Sequence, residues 1–264
     1  MARRAGLAFF LTLTLTGLPC LTFAASSPET SKVITSQGTT TQPAKSGSVL
    51  LKPYTAELKA SMKGLPISGS GNRELKQNKE GHWELNFDAS SGLFGISESS
   101  EFSLSDGTIK PEAYRYKRSG IIGSKPEEKA LFDWKQSQVN WENDEKHWAI
   151  KLQTGALDNL SYQTQLRMDL AAGKKELNYL IADDDEVYLR SFVIEGEEVL
   201  STDAGKLNTV RVRIKRDNNK RETWIWFAKD WDFFFVKLLQ KEGGSEYTVE
   251  LKNASIDGKP IKGI

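Results

Sequence analysis

Tyr54-Thr55-Ala56-Glu57-Leu58-Lys59-Ala60-Ser61-Met62-Lys63 alternates residue by residue between one side-chain class and the other. Successive side chains of an extended strand point to opposite faces. This period of two therefore puts Tyr54, Ala56, Leu58, Ala60 and Met62 on a core face and their neighbours in water. The same rhythm returns at Trp83/Leu85/Phe87, at Tyr114/Tyr116 against Arg115/Lys117, at Ala130/Phe132/Trp134 and at Trp148/Ile150/Leu152. Between these runs stand Lys63-Gly64, Glu80-Gly81, Asp106-Gly107 and Asn143-Asp144, residues that tolerate turn dihedrals. The pattern is a meander of hairpins.

One segment breaks the rhythm. In Leu157 to Ala172 the apolar residues Tyr162, Leu166 and Leu170 recur every four positions, Asp158 can cap the start and Gly173 can close the end. This predicts a single helix at about 158–172. Strands resume at Glu176 and continue through Val187 to Glu195, Leu207 to Lys215, Arg221 to Ala228, Phe233 to Gln240 and Tyr247 to Lys252. The expected fold class is mainly all-β: a long antiparallel meander, strongly curved or closed into a barrel, with the helix packed against it or across its mouth.

The N-terminal end sets the expected compartment. Arg3 and Arg4 precede an uncharged, apolar stretch, and Thr22-Phe23-Ala24 places small residues where a signal peptidase reads, so residues 1–24 read as a signal peptide. Thr12, Thr14, Thr16 and Pro19 interrupt a stretch already short of the roughly 20 apolar residues a spanning helix needs. Cys20 follows Pro19 rather than the small residue a lipid-attachment signal prefers, so general secretion is the simpler route. Residues 25–49 are rich in Ser and Thr and read as a disordered linker, leaving 50–264 as one antiparallel β domain. The whole chain holds 36 Lys and Arg against 35 Asp and Glu; loss of Arg3 and Arg4 leaves 34 against 35. That balance argues against nucleic acid as a partner. Cys20, the only cysteine, leaves with the signal, so the mature chain has neither disulfide nor thiolate.

Catalytic chemistry finds little footing. Nucleophilic catalysis would need Ser or Thr with a histidine base, and the only histidines, His82 and His147, each sit beside a tryptophan at a turn edge. Two histidines and no sulfur also leave zinc short of ligands. Asp183-Asp184-Asp185-Glu186 gathers hard oxygen ligands for calcium, but it lacks the spaced carboxylates and central Gly of an EF-hand loop and reads as a solvated turn. No metal or cofactor is implied.

Several stretches carry a family resemblance. Tyr114-Arg115-Tyr116-Lys117-Arg118-Ser119-Gly120, Asp133-Trp134 followed by Val139, Asp158-Asn159-Leu160-Ser161-Tyr162-Gln163 with Leu166-Arg167-Met168-Asp169-Leu170, Gly196-Glu197-Glu198, and Thr202 to Val210 resemble the bacterial domain of unknown function 3108 family. The resemblance runs from about Tyr54 to about Leu251. It implies an exported, sheet-rich domain of Gram-negative bacteria and carries no agreed activity, so no catalytic residue is transferred. Trp231-Asp232-Phe233-Phe234-Phe235 is more aromatic than the family pattern.

The hairpin from Thr209 to Ala228 offers the most site-like surface. With its turn at Asp217 to Lys220, Arg213 lies across from Trp224 and Arg211 from Trp226, while Val210, Val212 and Ile214 meet Phe227, Ile225 and Thr223 on the core face. Arg211, Arg213, Trp224 and Trp226 are the candidate ligand-binding residues, through cation–π pairs worth about 0.5 to 2 kcal/mol each. The same four also fit a self-satisfied ladder on an exposed sheet face. The resulting expectation is a periplasmic, monomeric, non-enzymatic β protein that holds an envelope lipid or glycan in the concavity of the sheet. Its rivals are a polysaccharide hydrolase using distant carboxylates and a protein–protein interaction module. After signal removal no membrane span is expected. A deep apolar cavity would favour lipid, a shallow aromatic groove glycan, and two carboxylates facing across a cleft the hydrolase.

Overall fold

A computed structural model of the protein describes residues 51–63, 68–92, 94–121 and 124–263. The signal peptide and linker expected over residues 1–49 lie outside the described residues, as does Gly64 of the first turn.

The first half of the chain forms β1 (Tyr54–Met62), β2 (Ser68–Gln77), β3 (Trp83–Ser91), β4 (Phe94–Ser105), β5 (Thr108–Gly120), β6 (Lys125–Asp133), β7 (Gln138–Glu142) and β8 (His147–Lys151). Helix α1 (Ser161–Ala171) follows. The second half forms β9 (Leu177–Asp183), β10 (Glu186–Thr202), β11 (Gly205–Ile214), β12 (Arg221–Ala228), a 3₁₀ turn at Lys229–Trp231, β13 (Phe234–Glu242), β14 (Ser245–Ile256) and β15 (Lys259–Pro260). All fifteen strands belong to one sheet of order β8-β7-β6-β5-β4-β3-β2-β1-β14-β13-β12-β11-β10-β9, with β15 beside β14. The fold is thus the expected antiparallel meander. Its first and last long strands, β1 and β14, pair in the middle of the path.

Curvature brings the two ends of that path together without strand pairing between β8 and β9. Trp148 of β8 donates its indole N–H to the Asp184 carbonyl in the β9–β10 turn at 2.6 Å. Leu157 occupies the outer edge of β9 as a parallel bridge to Ile181, with its carbonyl accepting from the Ala182 N–H at 2.8 Å. The seam of the barrel is therefore closed by an indole and a short segment of chain, which also shield an edge that would otherwise template further pairing.

The helix packs against the sheet as expected, on its inner face and enclosed by the strands. Ser161, Tyr162, Thr164, Gln165, Leu166, Arg167, Met168, Asp169 and Leu170 are all buried, so polar and apolar sides alike face strands. Its polar residues reach several separate parts of the wall. Gln163 accepts from Arg73 Nη1 of β2 at 2.6 Å, and Gln165 accepts from the Ile109 N–H of β5 at 2.8 Å. Asp169 accepts from the Tyr179 hydroxyl of β9 at 3.0 Å, and Arg167 Nε donates to the Asp232 carbonyl at 2.8 Å. Asp158 ties the start of the helix. Its Oδ1 accepts from the Leu160 and Ser161 N–H groups just before the first helical turn, and its Oδ2 accepts from Ser100 Oγ of β4. At the other end Gly173 takes φ +74, and the Gly173 and Lys174 N–H groups return to the Leu170 and Asp169 carbonyls.

Leu166 is 1% exposed at the centre of this enclosure. Leu166→Ala should destabilise the fold by about 2–5 kcal/mol, the cost of truncating a buried leucine. Chemical denaturation measures it; a change near zero would place the helix outside the barrel.

Candidate functional site

The hairpin β11–β12 has the register expected from its sequence: Arg211 pairs with Trp226, Arg213 with Trp224, Val210 with Phe227 and Val212 with Ile225. The four candidate residues are brought together on the outer face. Their partners, however, are not each other. Glu195 on β10 accepts from Arg213 Nε and from the Trp224 indole N–H, and Glu198 accepts from Arg211 Nη1 at 3.3 Å and the Trp226 indole N–H at 2.8 Å. The cations over the rings come from β13 instead: Lys241 Nζ lies 5.6 Å from the Trp224 ring and Lys237 Nζ 5.8 Å from that of Trp226. The glutamates on β10 draw the guanidiniums toward the opposite neighbour strand. Lys237 also pairs with Glu250 at 2.9 Å and Lys241 with Glu246 at 3.7 Å, so opposite charges alternate across β10, β11, β13 and β14. Exposed pairs of this kind contribute at most about 1 kcal/mol each.

The concave side holds two cavities that share Leu58 as a wall residue. One, of about 100 Å³, is lined by the ends of β1–β4 and β14: Ala60, Gly69, Gly71, Phe87, Ala89, Ile96 and Val249 among others. It exists because inward positions on three neighbouring strands carry Ala or Gly. At Gly69 nothing larger fits without a shift, since a Cβ would stand 2.9 Å from the Ser90 carbonyl oxygen. The other cavity, of about 50 Å³, lies between α1 and strands β10–β13, β1 and β2. Its wall includes Leu58, Ile225, Phe227, Phe234 and Leu238, with Arg73, Arg167, Arg190 and Arg216 set among them. No carboxylate lines it. Burial lowers the pKa of Arg167 and Arg216 from the ordinary value, and at Arg216 the like charges of Arg221 and Arg190 add to burial.

A separate polar cluster sits in the core between β4, β5 and the start of α1. The Tyr114 hydroxyl donates to Glu98 Oε1, and Glu98 Oε2 is buried without a partner. Burial pushes the Glu98 carboxyl well above the usual carboxylate range, against the hydrogen bond from Tyr114. Asp158 is raised in the same way. Neither carboxylate lines either interior cavity. Among the described residues no group of three or more His, Cys, Asp and Glu stands close enough to hold a metal ion. His82 Nδ1 lies 2.7 Å from Glu112 Oε2, and His147 is exposed.

The family model for proteins of unknown function DUF3108 matches residues 54–252, from the first strand into the last long one. The chain belongs to the DUF3108 family. A search of curated proteins finds no match. Among solved structures, the fold is similar to a β-barrel-like protein of the domain of unknown function DUF1849 from Brucella abortus. That similarity has a TM-score of 0.56 at 12% identity and covers 78% of this chain and 98% of that one. It extends the family's barrel-like fold to a second family of unknown function.

Asp183, at the end of β9, differs from the solvated turn read in the sequence. Only Asp184 and Asp185 form the turn, while Asp183 accepts from Asn159 Nδ2 at 2.8 Å beside the seam. Burial pushes its pKa up to about 6, with Asp184 adding to the effect. Between about pH 4 and pH 6 the folded form therefore holds a proton that the unfolded chain has lost. Stability falls as pH rises through that window. Asp183→Asn should raise stability by about 1–3 kcal/mol at pH 7.5 and leave it unchanged at pH 4. Denaturation at both pH values checks this, and an equal effect at each would contradict it.

Proposed function

We propose that the protein is an exported, non-enzymatic carrier that holds a lipid of the cell envelope inside its barrel, acting as a monomer in the periplasm. The observation that carries this reading is the pair of interior cavities, walled chiefly by Leu58, Ala60, Phe87, Ala89, Ile96, Val249, Ile225, Phe227 and Leu238. Apolar concave space with a few polar groups is the usual form of a small-molecule site, and at about 50 and 100 Å³ these two hold part of a lipid, the rest requiring the wall to give or the chain to extend outward. Export is supported by the N-terminal segment, whose charged start, apolar stretch and small residues fit a secretion signal.

The indoles give the glycan reading less support. One face of Trp148 stacks on Trp141 at 6.0 Å and Lys146 lies 4.0 Å from its ring, so neither face is open to a sugar. Trp226 is 6% exposed, and both outer-face indoles are covered by lysines. The hydrolase reading needs two carboxylates facing across a cleft, and the interior cavities are lined by none.

Native mass spectrometry of the chain purified from its own periplasm tests the proposal. A mature chain starting near Ala25 should carry a lipid-sized adduct removable by organic solvent. Ala89→Phe, which fills the larger cavity, should lose that adduct while keeping its melting temperature within a few degrees. A bare chain in every preparation would contradict the reading.

A further inference from the structure

Four arginines line the smaller cavity and no acid lines it with them. A guanidinium stays charged in proteins, and a buried charge without a counter-ion is costly unless something supplies one. Part of the charge is satisfied from within. Arg73 donates to the Tyr54 hydroxyl and to Gln163, and Arg190 donates to the Tyr188 hydroxyl. Arg167, which is 8% exposed, uses Nε on the Asp232 carbonyl, and its guanidinium carbon lies 5.1 Å from the Phe234 ring and 5.6 Å from the Tyr54 ring. Its Nη1 is shielded from solvent and has no hydrogen-bond partner. Nε of Arg216, beyond the end of β11, is shielded and unpartnered in the same way. So is Nη1 of Arg221, at the start of β12, although its Nη2 donates to Glu242 at 2.6 Å. Three guanidiniums at or beside one cavity thus keep shielded N–H donors that no protein acceptor meets.

We propose that the ligand of the barrel is an anionic amphiphile, whose carboxylate or phosphate takes the free N–H groups of Arg167 and Arg216 in the smaller cavity while part of its hydrocarbon occupies the larger one. The inference rests on the lipid-carrier reading and gives that lipid its headgroup. Planar guanidinium forks match carboxylate and phosphate oxygens, and such charge-assisted bonds are the strong class of hydrogen bond. Leu58 lines both cavities, so a head among the arginines sits one side chain away from the space lined by Ala60, Phe87 and Ile96, and its chain reaches that space once Leu58 turns aside. A longer chain leaves past Met62 and Phe94 at the rim. An anion would also ease the repulsion that Arg221 and Arg190 exert on Arg216, which Glu242 opposes from the protein side.

Equilibrium binding of oleate, lysophosphatidate and oleyl alcohol to the solvent-extracted mature chain tests this. All three share an alkyl chain, and only the first two carry a negative head. The expected result is binding of at least one anion at least tenfold tighter than oleyl alcohol, with the tighter of oleate and lysophosphatidate identifying a carboxylate or a phosphate head. Arg216→Gln, at a half-buried position chosen to spare the fold, should cut that preference about tenfold and leave oleyl alcohol affinity unchanged. Equal affinity for all three would overturn the anionic head and leave the lipid carrier standing. Anion preference undiminished in folded Arg216→Gln would overturn the role given to these arginines. Failure of all three to bind would overturn the carrier reading and this inference together.

Discussion

A helix enclosed by a sheet has no solvent side, and every polar group it carries must find a partner in the surrounding wall. An unmet buried donor or acceptor costs about 1–3 kcal/mol, enough for a few such groups to unfold a domain. Here Gln163, Gln165, the Nε of Arg167 and Asp169 are met by Arg73, the Ile109 N–H, the Asp232 carbonyl and Tyr179, and Nη1 of Arg167 is left unmet. The strands that answer the helix therefore carry polar residues on their inward faces. Arg73 follows Gly69 and Gly71 along the inner side of β2, and β4 places Glu98 and Ser100 between Ile96 and Phe102.

That exchange explains where the sequence was legible. Strands β1, β3 and β12 pack apolar side chains inward, and their period of two marks them; β12 begins and ends at the residues expected. Strands β2 and β4 went unread because their inward faces are Gly-Gly-Arg-Leu and Ile-Glu-Ser-Phe, which break the apolar alternation. The helix was visible from Tyr162, Leu166 and Leu170. Its place inside the barrel was not, since Thr164, Gln165 and Arg167 look like a solvent face until partners from distant strands are known. Likewise the β11–β12 register followed from the turn, while the lysines of β13 and glutamates of β10 that complete the outer ladder depend on neighbours that local sequence does not name.

The same strands that were hard to read shape the candidate site. Gly69 and Gly71 leave space on the inner wall beside Ala60 and Ala89, and the smaller cavity lies against the helix at Arg167. Space and charge lie side by side from different sources: Ala and Gly on β1–β3 leave the larger cavity, and β2, α1, β10 and the chain just past β11 each bring one arginine to the smaller one. Membership of the DUF3108 family and the barrel-like fold seen in DUF1849 set this sheet in a shared architecture.

Hydrogen–deuterium exchange of the α1 amides tests the enclosed helix most directly. Amides that open only with global unfolding exchange at the rate of the most protected core. The account predicts that residues 165–170 exchange as slowly as the inner strands β4, β5 and β9. Exchange of those amides orders of magnitude faster than in these strands would show a helix that opens on its own, and would contradict a barrel built around it.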